Sequence, residues 1–346
     1  MYILKQIVRF SLIVFILIYG IPAYAADTAP NTKISLVWDW TAPGETASNT
    51  AAKKIDGITV ISPKWFALKD KNGRIVVKDA DKHYIESAHE NGYKVWPLIS
   101  NSFDPKLTSS FLDNKKAQKR AIDNMIKMKK KYGFDGYNID FENVNEADRD
   151  KLTSFIKDIK SKITGTISID VTIPSNSSNW SRCYDRKALA DTVDYVMVMA
   201  YDEHGRLSPV SGSVASLPWV ENGIKKSLEY IPHDKLVLGM PLYMRLWTET
   251  TDGTVSAKTL SMQESEKLAA LSPGGRIWNP DLGQYYYDYI KDGKMYRVWE
   301  EDARSLALKA SLISRYDLAG GAFWRKGLED ESVWPVIAAE ISNAER

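Results

Sequence analysis

FDGYNIDFEN, residues 134–143, alternates apolar and polar side chains and carries two carboxylates near its end. Because successive side chains of a β-strand point to opposite faces, Asn138, Asp140 and Glu142 lie on one face of such a strand. Strands of a parallel barrel are buried on both faces, so polar groups there carry a desolvation cost unless each finds a partner. They are tolerated mainly at the C-terminal mouth of the barrel, where active sites of that fold lie. The segment therefore predicts an active-site strand.

The two carboxylates near the end of this segment are close enough to interact. Asp140 and Glu142 are two residues apart, which separates their Cα atoms by roughly 6.6 Å along a strand. One carboxylate then stays ionised, while the pKa of the other, deeper or nearer to apolar rings, rises until it acts as an acid near neutral pH. A buried acidic pair that basic neighbours satisfy is the alternative, and the spacing alone leaves both open.

The rest of the chain predicts the fold around this strand. From residue 33 onward, short apolar runs rich in β-branched residues alternate with polar segments of helical period, which is typical of βα units. The eight predicted strands span residues 33–40, 57–66, 94–100, 136–142, 166–173, 194–202, 236–243 and 320–324. Eight units in about 320 residues predict the α/β class and a (β/α)₈ TIM barrel.

One segment breaks the alternation. Residues 246–302, between the seventh and eighth strands, are too long for a simple crossover and are rich in glycine, threonine and aromatic residues. They predict a small, β-rich α+β insertion, which at the mouth of a barrel walls a substrate cleft. We expect one catalytic domain over residues 27–346.

The first 25 residues are predicted to be a signal peptide. Lys5 and Arg9 precede an apolar run over residues 10–21, and Ala-Tyr-Ala at 23–25 forms a cleavage site. The alternative is an uncleaved membrane anchor, but about a dozen apolar residues fall short of the ~20 that span a bilayer. The mature chain is therefore expected to be secreted or held in the cell envelope, without a membrane span.

Composition narrows the class of partner. The chain has 46 basic and 44 acidic residues, and removal of the leader leaves 44 of each, so no nucleic acid or other polyanion is indicated. Four scattered histidines and the single Cys183 give no metal-ligand spacing, and no glycine-rich phosphate loop is present. We expect no metal, no cofactor and a monomer that is stabilised by its core rather than by disulfides.

Four segments resemble motifs of glycoside hydrolase family 18, in the order in which that family has them. Residues 134–143 resemble its D-G-x-D-x-D-x-E signature, in which Asp135 and Gly136 are structural. Residues 199–202, 241–245 and 320–324 resemble its motifs on the sixth, seventh and eighth strands. The family includes chitinases, endo-N-acetylglucosaminidases and spore-cortex peptidoglycan glucosaminidases, and the resemblance covers nearly the whole mature chain.

The resemblance implies a role for each matched residue. Glu142 would protonate the glycosidic oxygen, and Asp140 would orient the 2-acetamido group of the substrate, whose carbonyl oxygen attacks the anomeric carbon. This is the substrate-assisted exception among retaining glycosidases. Tyr201 and Asp202 would hydrogen-bond the acetamido group, and Trp324 would form the floor under the sugar. A restrained acetamide in an attacking position lowers the reaction barrier.

Asn138 departs from the family pattern, because many members carry a third carboxylate there. An aspartate would repel Asp140 and raise its pKa, whereas the amide of Asn138 only hydrogen-bonds to it. Asp140 is therefore expected to ionise more readily. The asparagine is typical of the spore-cortex and envelope branch of the family, which favours peptidoglycan as the substrate, with chitin as the alternative.

Further substrate contacts are predicted at other strand ends. Aromatic rings pack on sugar faces, and the side chain of Arg245 either binds a substrate hydroxyl or pairs with Asp202. The predicted substrate-binding residues outside the acid pair are Asn138, Trp40, Trp65, Tyr243, Arg245 and Asn101, with Trp38 and Trp180 as further sugar platforms. Plain packing is the alternative for each tryptophan.

Two rival functions differ in kind from a retaining N-acetylglucosaminidase. Some members of the family are lectins that bind carbohydrate on the same barrel and usually lack the terminal glutamate of the signature, which is present here as Glu142. A structural protein of the cell envelope is the other rival, and it would not need carboxylates on the inner face of a strand.

Overall fold

Eight parallel strands form the centre of the computed structural model, which describes residues 33–40 and 54–344. In chain order they are Ile34–Asp39, Val60–Pro63 continued by Phe66–Leu68, Lys94–Val95 continued by Leu98–Ser100, Gly136–Asp140, Thr166–Thr172, Tyr195–Met199, Leu236–Pro241 and Gly320–Trp324. We call them the first to the eighth barrel strands. Each of the eight predicted strands corresponds to one of them. The predicted signal peptide lies outside the described residues.

Parallel pairing joins the strands into a closed ring. The first strand pairs with both the second and the eighth, and pairing continues without a gap from the third strand to the eighth. The third strand breaks at Pro97, which has no N–H to donate. Its first half pairs with the second strand, and its second half pairs with the fourth. The backbone N–H of Asn138 still donates to the Pro97 carbonyl (3.2 Å), so the predicted barrel is confirmed.

Helices surround the ring, and all but the last connect successive strands. They are Lys82–Glu90, Pro105–Leu112 with Lys115–Tyr132, Arg149–Lys162, Arg186–Ala190, Leu217–Ser227, Ala303–Arg315 and Val333–Ala344. The helix Lys115–Tyr132 ends at Gly133, whose φ of 83° is the left-handed conformation that closes many helices. Among the described residues, no helix is long and apolar enough to cross a membrane.

A second, antiparallel sheet interrupts the barrel between its seventh and eighth strands. Its strands are Met244–Glu249, Val255–Leu260, Ile277–Asn279, Gln284–Lys291 and Lys294–Trp299, and the helix Met262–Ala269 lies between the second and third of them. The predicted α+β insertion is confirmed, although it begins two residues before position 246. A fully buried ion pair lies where this insertion meets the helix Ala303–Arg315. In it, the ammonium group of Lys309 lies 2.7 Å from the carboxylate of Glu301.

Candidate active site

A cleft of about 630 Å³ opens at the C-terminal mouth of the barrel. Residues at or just beyond the ends of several barrel strands line it, because parallel strands present their carboxyl ends at one face of the ring. The insertion adds Arg245, Lys258, Thr259 and Glu264 to the wall. The cleft brings together most of the predicted site: Trp40, Asp140, Glu142, Tyr201, Asp202, Tyr243, Arg245 and Trp324.

The acid pair lies at the base of this cleft. Asp140 is buried (4% exposed), and a hydrogen bond joins its carboxyl group to that of Glu142. Burial raises the pKa of Glu142 well above its usual range, and the charge of Asp140 and the hydrogen bond to it raise that pKa further. Burial also raises the pKa of Asp140, whereas Lys64 and the bond to Glu142 act in the opposite direction. The proton of the pair therefore resides on Glu142, which suits a general acid.

A third carboxylate, Asp170 on the fifth strand, completes the cluster and was missed from the sequence. It is 1% exposed, and burial raises its pKa well above the usual range, as does the charge of Asp140. The signal was present, because Asp170 places a carboxylate in a buried stretch of its strand, as Asp140 does in the fourth strand. The same desolvation argument would have selected it.

Asn138 lies beneath the acid pair, fully buried, and is absent from the residues that line the cleft. Its Nδ2 donates to Asp170 Oδ1 (2.6 Å) and to Ser168 Oγ (3.0 Å), while its Oδ1 accepts from Trp38 Nε1 (2.8 Å). The amide was expected to bond Asp140 and substrate. It instead bonds Asp170 and offsets a small part of the rise in the Asp170 pKa that burial and the charge of Asp140 cause.

A second polar group surrounds Asp202, just beyond the sixth strand. Asp202 Oδ1 accepts hydrogen bonds from the Tyr243 hydroxyl (2.6 Å) and from Arg245 Nη2 (2.7 Å). Of the two roles left open for Arg245, the structure shows the pairing with Asp202. The ring of Tyr201 packs edge-on against that of Tyr243 with centroids 6.3 Å apart. Burial raises the pKa of both phenols well above the usual range, so both hydroxyls remain donors.

Aromatic rings form the floor of the cleft. Trp324 stacks on Trp40 with centroids 6.1 Å apart and meets the buried Trp38 edge-on at 5.8 Å. The Lys64 ammonium lies 5.1 Å from the centre of the Trp40 ring and 5.4 Å from that of Phe103. Of the predicted platforms, Trp40, Trp180 and Trp324 line the cleft, whereas Trp38 supports the floor from below.

Two predicted substrate contacts lie elsewhere. Trp65 is only 6% exposed and packs edge-on against Tyr84 (5.1 Å), which is the packing alternative. Asn101 is buried and grips the backbone of Glu142: its Nδ2 donates to the Glu142 carbonyl (2.7 Å), and its Oδ1 accepts from the Glu142 N–H (3.1 Å). Asn101 therefore fixes the position of the acid and does not line the cleft.

The first residues of the signature lie at the opposite end of the fourth strand. Asp135 Oδ2 accepts from the Val95 N–H (2.8 Å) and contacts His89 Nε2 (2.8 Å), which ties the strand to its neighbours. A Cβ atom on Gly136 would lie 2.2 Å from the Thr166 carbonyl oxygen, so only glycine allows this approach of the fourth and fifth strands. Both residues are structural in position, as the motif implies.

Residues 33–40 and 54–344 include no group of three or more His, Cys, Asp or Glu side chains arranged to hold a metal ion.

A closed parallel barrel whose C-terminal mouth holds a hydrogen-bonded carboxyl pair and tryptophan rings in one cleft has the features of a glycoside hydrolase. The sequence model of the family described as glycosyl hydrolases family 18 matches residues 36–329 of the chain. The chain therefore belongs to this family. It is therefore a glycosidase, as the sequence predicted.

Known proteins agree with this assignment. The chain is 32% identical over 309 residues to the uncharacterized glycosylase YvbX of Bacillus subtilis (strain 168), covering 85% of this chain and 88% of that protein. It is 24% identical to the cortical fragment-lytic enzyme of the same organism over 71% of this chain, and spans only 58% of that protein. A solved chitinase from Chromobacterium violaceum ATCC 12472 shares the fold, with a TM-score of 0.79 at 23% identity over 90% of this chain and 99% of the chitinase.

Proposed function

We propose that this glycosidase hydrolyses β-N-acetylglucosaminide bonds with retention, using the substrate's own acetamido group as the nucleophile. The direct hydrogen bond between Asp140 and Glu142 carries the proposal. A retaining enzyme with a protein nucleophile holds its two carboxyl groups about 5–5.5 Å apart, on either side of the scissile bond. Two carboxyl groups that are hydrogen-bonded to each other are too close together to lie on opposite sides of the scissile bond. One group is then free to act as the acid while the other orients the acetamido group.

The remaining residues have consistent roles. The sugar that reacts rests on Trp324, and Tyr201 and Asp202 hold its acetamido group. Glu142 gives its proton to the glycosidic oxygen as the bond from that oxygen to the anomeric carbon breaks and the acetamido carbonyl oxygen bonds to the same carbon. The Glu142 carboxylate then takes a proton from water, which adds to that carbon and releases the acetamido group. Two displacements at one carbon retain its configuration.

Peptidoglycan or a related aminosugar polymer is the proposed substrate, and the envelope or the medium is the proposed location. Three observations support this: the asparagine at position 138, the relative named for lysis of cortical fragments, and the predicted leader over residues 1–25. Chitin is the second candidate, because a chitinase shares the fold over nearly its whole length.

Mass spectrometry of the products tests the proposal. The purified protein is incubated with peptidoglycan and with chitin oligosaccharides, beside Glu142→Gln. The wild type should release fragments that end in reducing N-acetylglucosamine, initially in the β configuration as followed by proton NMR, and Glu142→Gln should be slower by about 10²–10⁴-fold, the usual contribution of a general acid. Glu146→Gln is the matched control, because Glu146 is half-exposed and pairs with Arg182 outside the cleft.

The mechanism has a separate test. A substrate whose reacting sugar carries a free amine in place of the acetamide should resist cleavage while its neighbours are cut. Equal cleavage of both would contradict the substrate-assisted step. Binding of glycan by wild type and Glu142→Gln without any cleavage would instead favour the carbohydrate-binding alternative.

A further inference from the structure

A second cavity of about 700 Å³ adjoins the cleft, and Glu142 lines both of them. The second cavity shares Glu142, Trp180, Met199, Tyr201 and Asp202 with the cleft and extends over the segments that follow the fifth and sixth barrel strands. We call it the second arm and define it by residues that line it alone: Arg206, Leu207, Trp219, Asn222 and Lys226.

The position of this arm decides which sugar it receives. On the proposed function, the reacting sugar lies on Trp324 in the first cleft, and Glu142 protonates the oxygen that leaves. The leaving sugar must therefore lie beyond Glu142, on the side of the second arm. Trp324, Trp40 and Asp140 line the cleft and do not line the second arm, which separates the two ends of a bound glycan.

The second arm also has exposed apolar side chains in its lining. Trp180 is 41% exposed and Leu207 is 86% exposed, and both line the arm. The Trp180 ring also lies 6.4 Å from the ring of Phe103, and both line the cleft. An exposed tryptophan and leucine beside an opening of this size provide surface for a sugar face and for an alkyl substituent on it.

Two positively charged side chains line the second arm. Arg206 and Lys226 line it, and within the described residues neither forms a hydrogen bond or an ion pair. The neighbouring Lys225, on the same helix, pairs with Glu221 at 3.3 Å. The two acids that line the arm, Glu142 and Asp202, pair with neither of these cations, and Asp202 pairs with Arg245 instead. The arm therefore presents two free positive charges to its ligand.

We propose that the second arm binds a leaving sugar that carries a carboxylate, as the 3-O-lactyl ether of N-acetylmuramic acid does. Arg206 and Lys226 bind the carboxylate, and Trp180 and Leu207 contact the sugar and its alkyl group. The inference rests on the proposed function for the orientation of the glycan. It assigns a preference for muramic acid whose lactyl carboxylate is free of a stem peptide, over the neutral sugars of chitin, to a defined pair of cations.

The test compares one glycan in two charge states. N-acetylglucosaminyl-β-1,4-N-acetylmuramic acid oligosaccharides are used with the lactyl group as a free carboxylate and as the carboxamide. The measured quantity is the ratio of kcat/KM for the two substrates. We expect wild type to favour the carboxylate roughly tenfold, which corresponds to about 1.4 kcal/mol. The variant Arg206→Gln/Lys226→Gln should lower the ratio to about one, while the control Lys225→Gln should keep the wild-type ratio.

A binding measurement separates this inference from the proposed function. The dissociation constants of both substrates are measured by calorimetry on Glu142→Gln, with and without the two arm substitutions. If wild type cleaves nothing but the binding preference is present and needs Arg206 and Lys226, the subsite stands and the proposed function fails. Equal binding of the carboxylate and the carboxamide would refute the subsite, whether or not either substrate is cleaved. A binding preference that persists in the double variant Arg206→Gln/Lys226→Gln would refute it as well.

Discussion

Lys64 is the cation that acts on the acid pair. Its charge lowers the pKa of Asp140 and also that of Glu142, against the effect of burial on both. On the proposed mechanism, activity needs Asp140 ionised and Glu142 protonated. The acidic limb of the pH profile then follows Asp140, and the alkaline limb follows Glu142.

Lys64→Met should move both limbs of the kcat/KM profile to higher pH. Removal of the positive charge leaves burial less opposed, so both pKa values rise, and ionisation of Asp140 and deprotonation of Glu142 each require a higher pH. Lys64→Arg keeps the charge over the aromatic floor and should restore the wild-type profile. A profile that Lys64→Met lowers uniformly, without a shift, would mean that Lys64 only contacts substrate.

Asn138→Ala should destabilise the fold by about 2–6 kcal/mol. The substitution removes a hydrogen bond from Trp38 Nε1 and from Asp170 Oδ1, and each buried polar group left alone costs roughly 1–3 kcal/mol; Ser168 Oγ also loses a bond but keeps one to the Tyr137 carbonyl. Urea denaturation measures the loss. Asn72→Ala, in an exposed turn, should change the stability by less than about 0.5 kcal/mol. If Asn138→Ala lowered the stability as little as Asn72→Ala does, water would have to replace the lost amide as the hydrogen-bond partner.

At the level of single residues, the sequence predicted the acid pair better than its surroundings. The alternation of residues 134–143 selects Asp140 and Glu142, because two carboxylates on one face of a buried strand are costly unless they serve a site. Asp170 is the lone carboxylate of its strand, and its approach to the pair depends on the pairing of the fourth and fifth strands. Asn101 and Trp65 follow strands too, but whether a side chain there points into the cleft depends on loop geometry that spacing does not describe.

Among the elements, the barrel strands were predictable and their interruptions were not. Strands buried on both faces leave continuous apolar runs, which is why all eight were found. The breaks in the second and third strands, and the short strand Ile75–Val77 that pairs with Phe66–Leu68, depend on long-range contacts. Likewise, Asp202 has a left-handed φ of 61° beyond its strand, a conformation that its residue type permits but does not dictate.

Gly136→Ala tests how closely two strands must approach to place the acid pair. The new methyl group would lie 2.2 Å from the Thr166 carbonyl oxygen, so the fourth strand must shift away from the fifth. We expect a loss of stability of about 1–3 kcal/mol, the usual cost of an overpacked core, and a loss of activity in the protein that remains folded. Both are measured on the same preparation.

Gly274→Ala is the matched control for this element. An added Cβ at position 274 meets nothing within 4 Å, so neither stability nor activity should fall. If Gly136→Ala behaved in the same way, the fourth strand would tolerate a wider spacing than the structure shows, and the position of Asp140 would depend less on strand pairing.

For the whole molecule, the insertion is part of the active site rather than an appendage. It supplies Arg245 to the Asp202 group and lines the cleft with Lys258, Thr259 and Glu264. Composition predicted a small sheet over residues 246–302, but its strand order cannot be inferred from local pattern. That order depends on which aromatic and polar groups find partners, as when Gln284 Nε2 donates to Glu301 Oε1 (2.7 Å).

Lys309→Met should weaken the junction between this sheet and the barrel helices. Lys309 and Glu301 are both 0% exposed and 2.7 Å apart, and Glu301 also accepts from Gln284 of the insertion. Loss of the lysine leaves a buried carboxylate without its counter-charge, which typically costs about 3–5 kcal/mol. Thermal unfolding should therefore occur at a lower temperature, and KM should rise because the wall that carries Arg245 is less firmly placed.

The charge itself, rather than the lost packing, is tested by a second substitution. Lys309→Met/Glu301→Leu removes both ions and should recover part of the stability, because a buried pair exchanged for apolar groups is often neutral. Lys187→Met, which breaks an exposed pair with Asp191 at 3.0 Å, should cost less than about 1 kcal/mol. A double variant no more stable than Lys309→Met would mean that the shape of the lysine side chain, not the neutralisation of Glu301, joins the two parts of the fold.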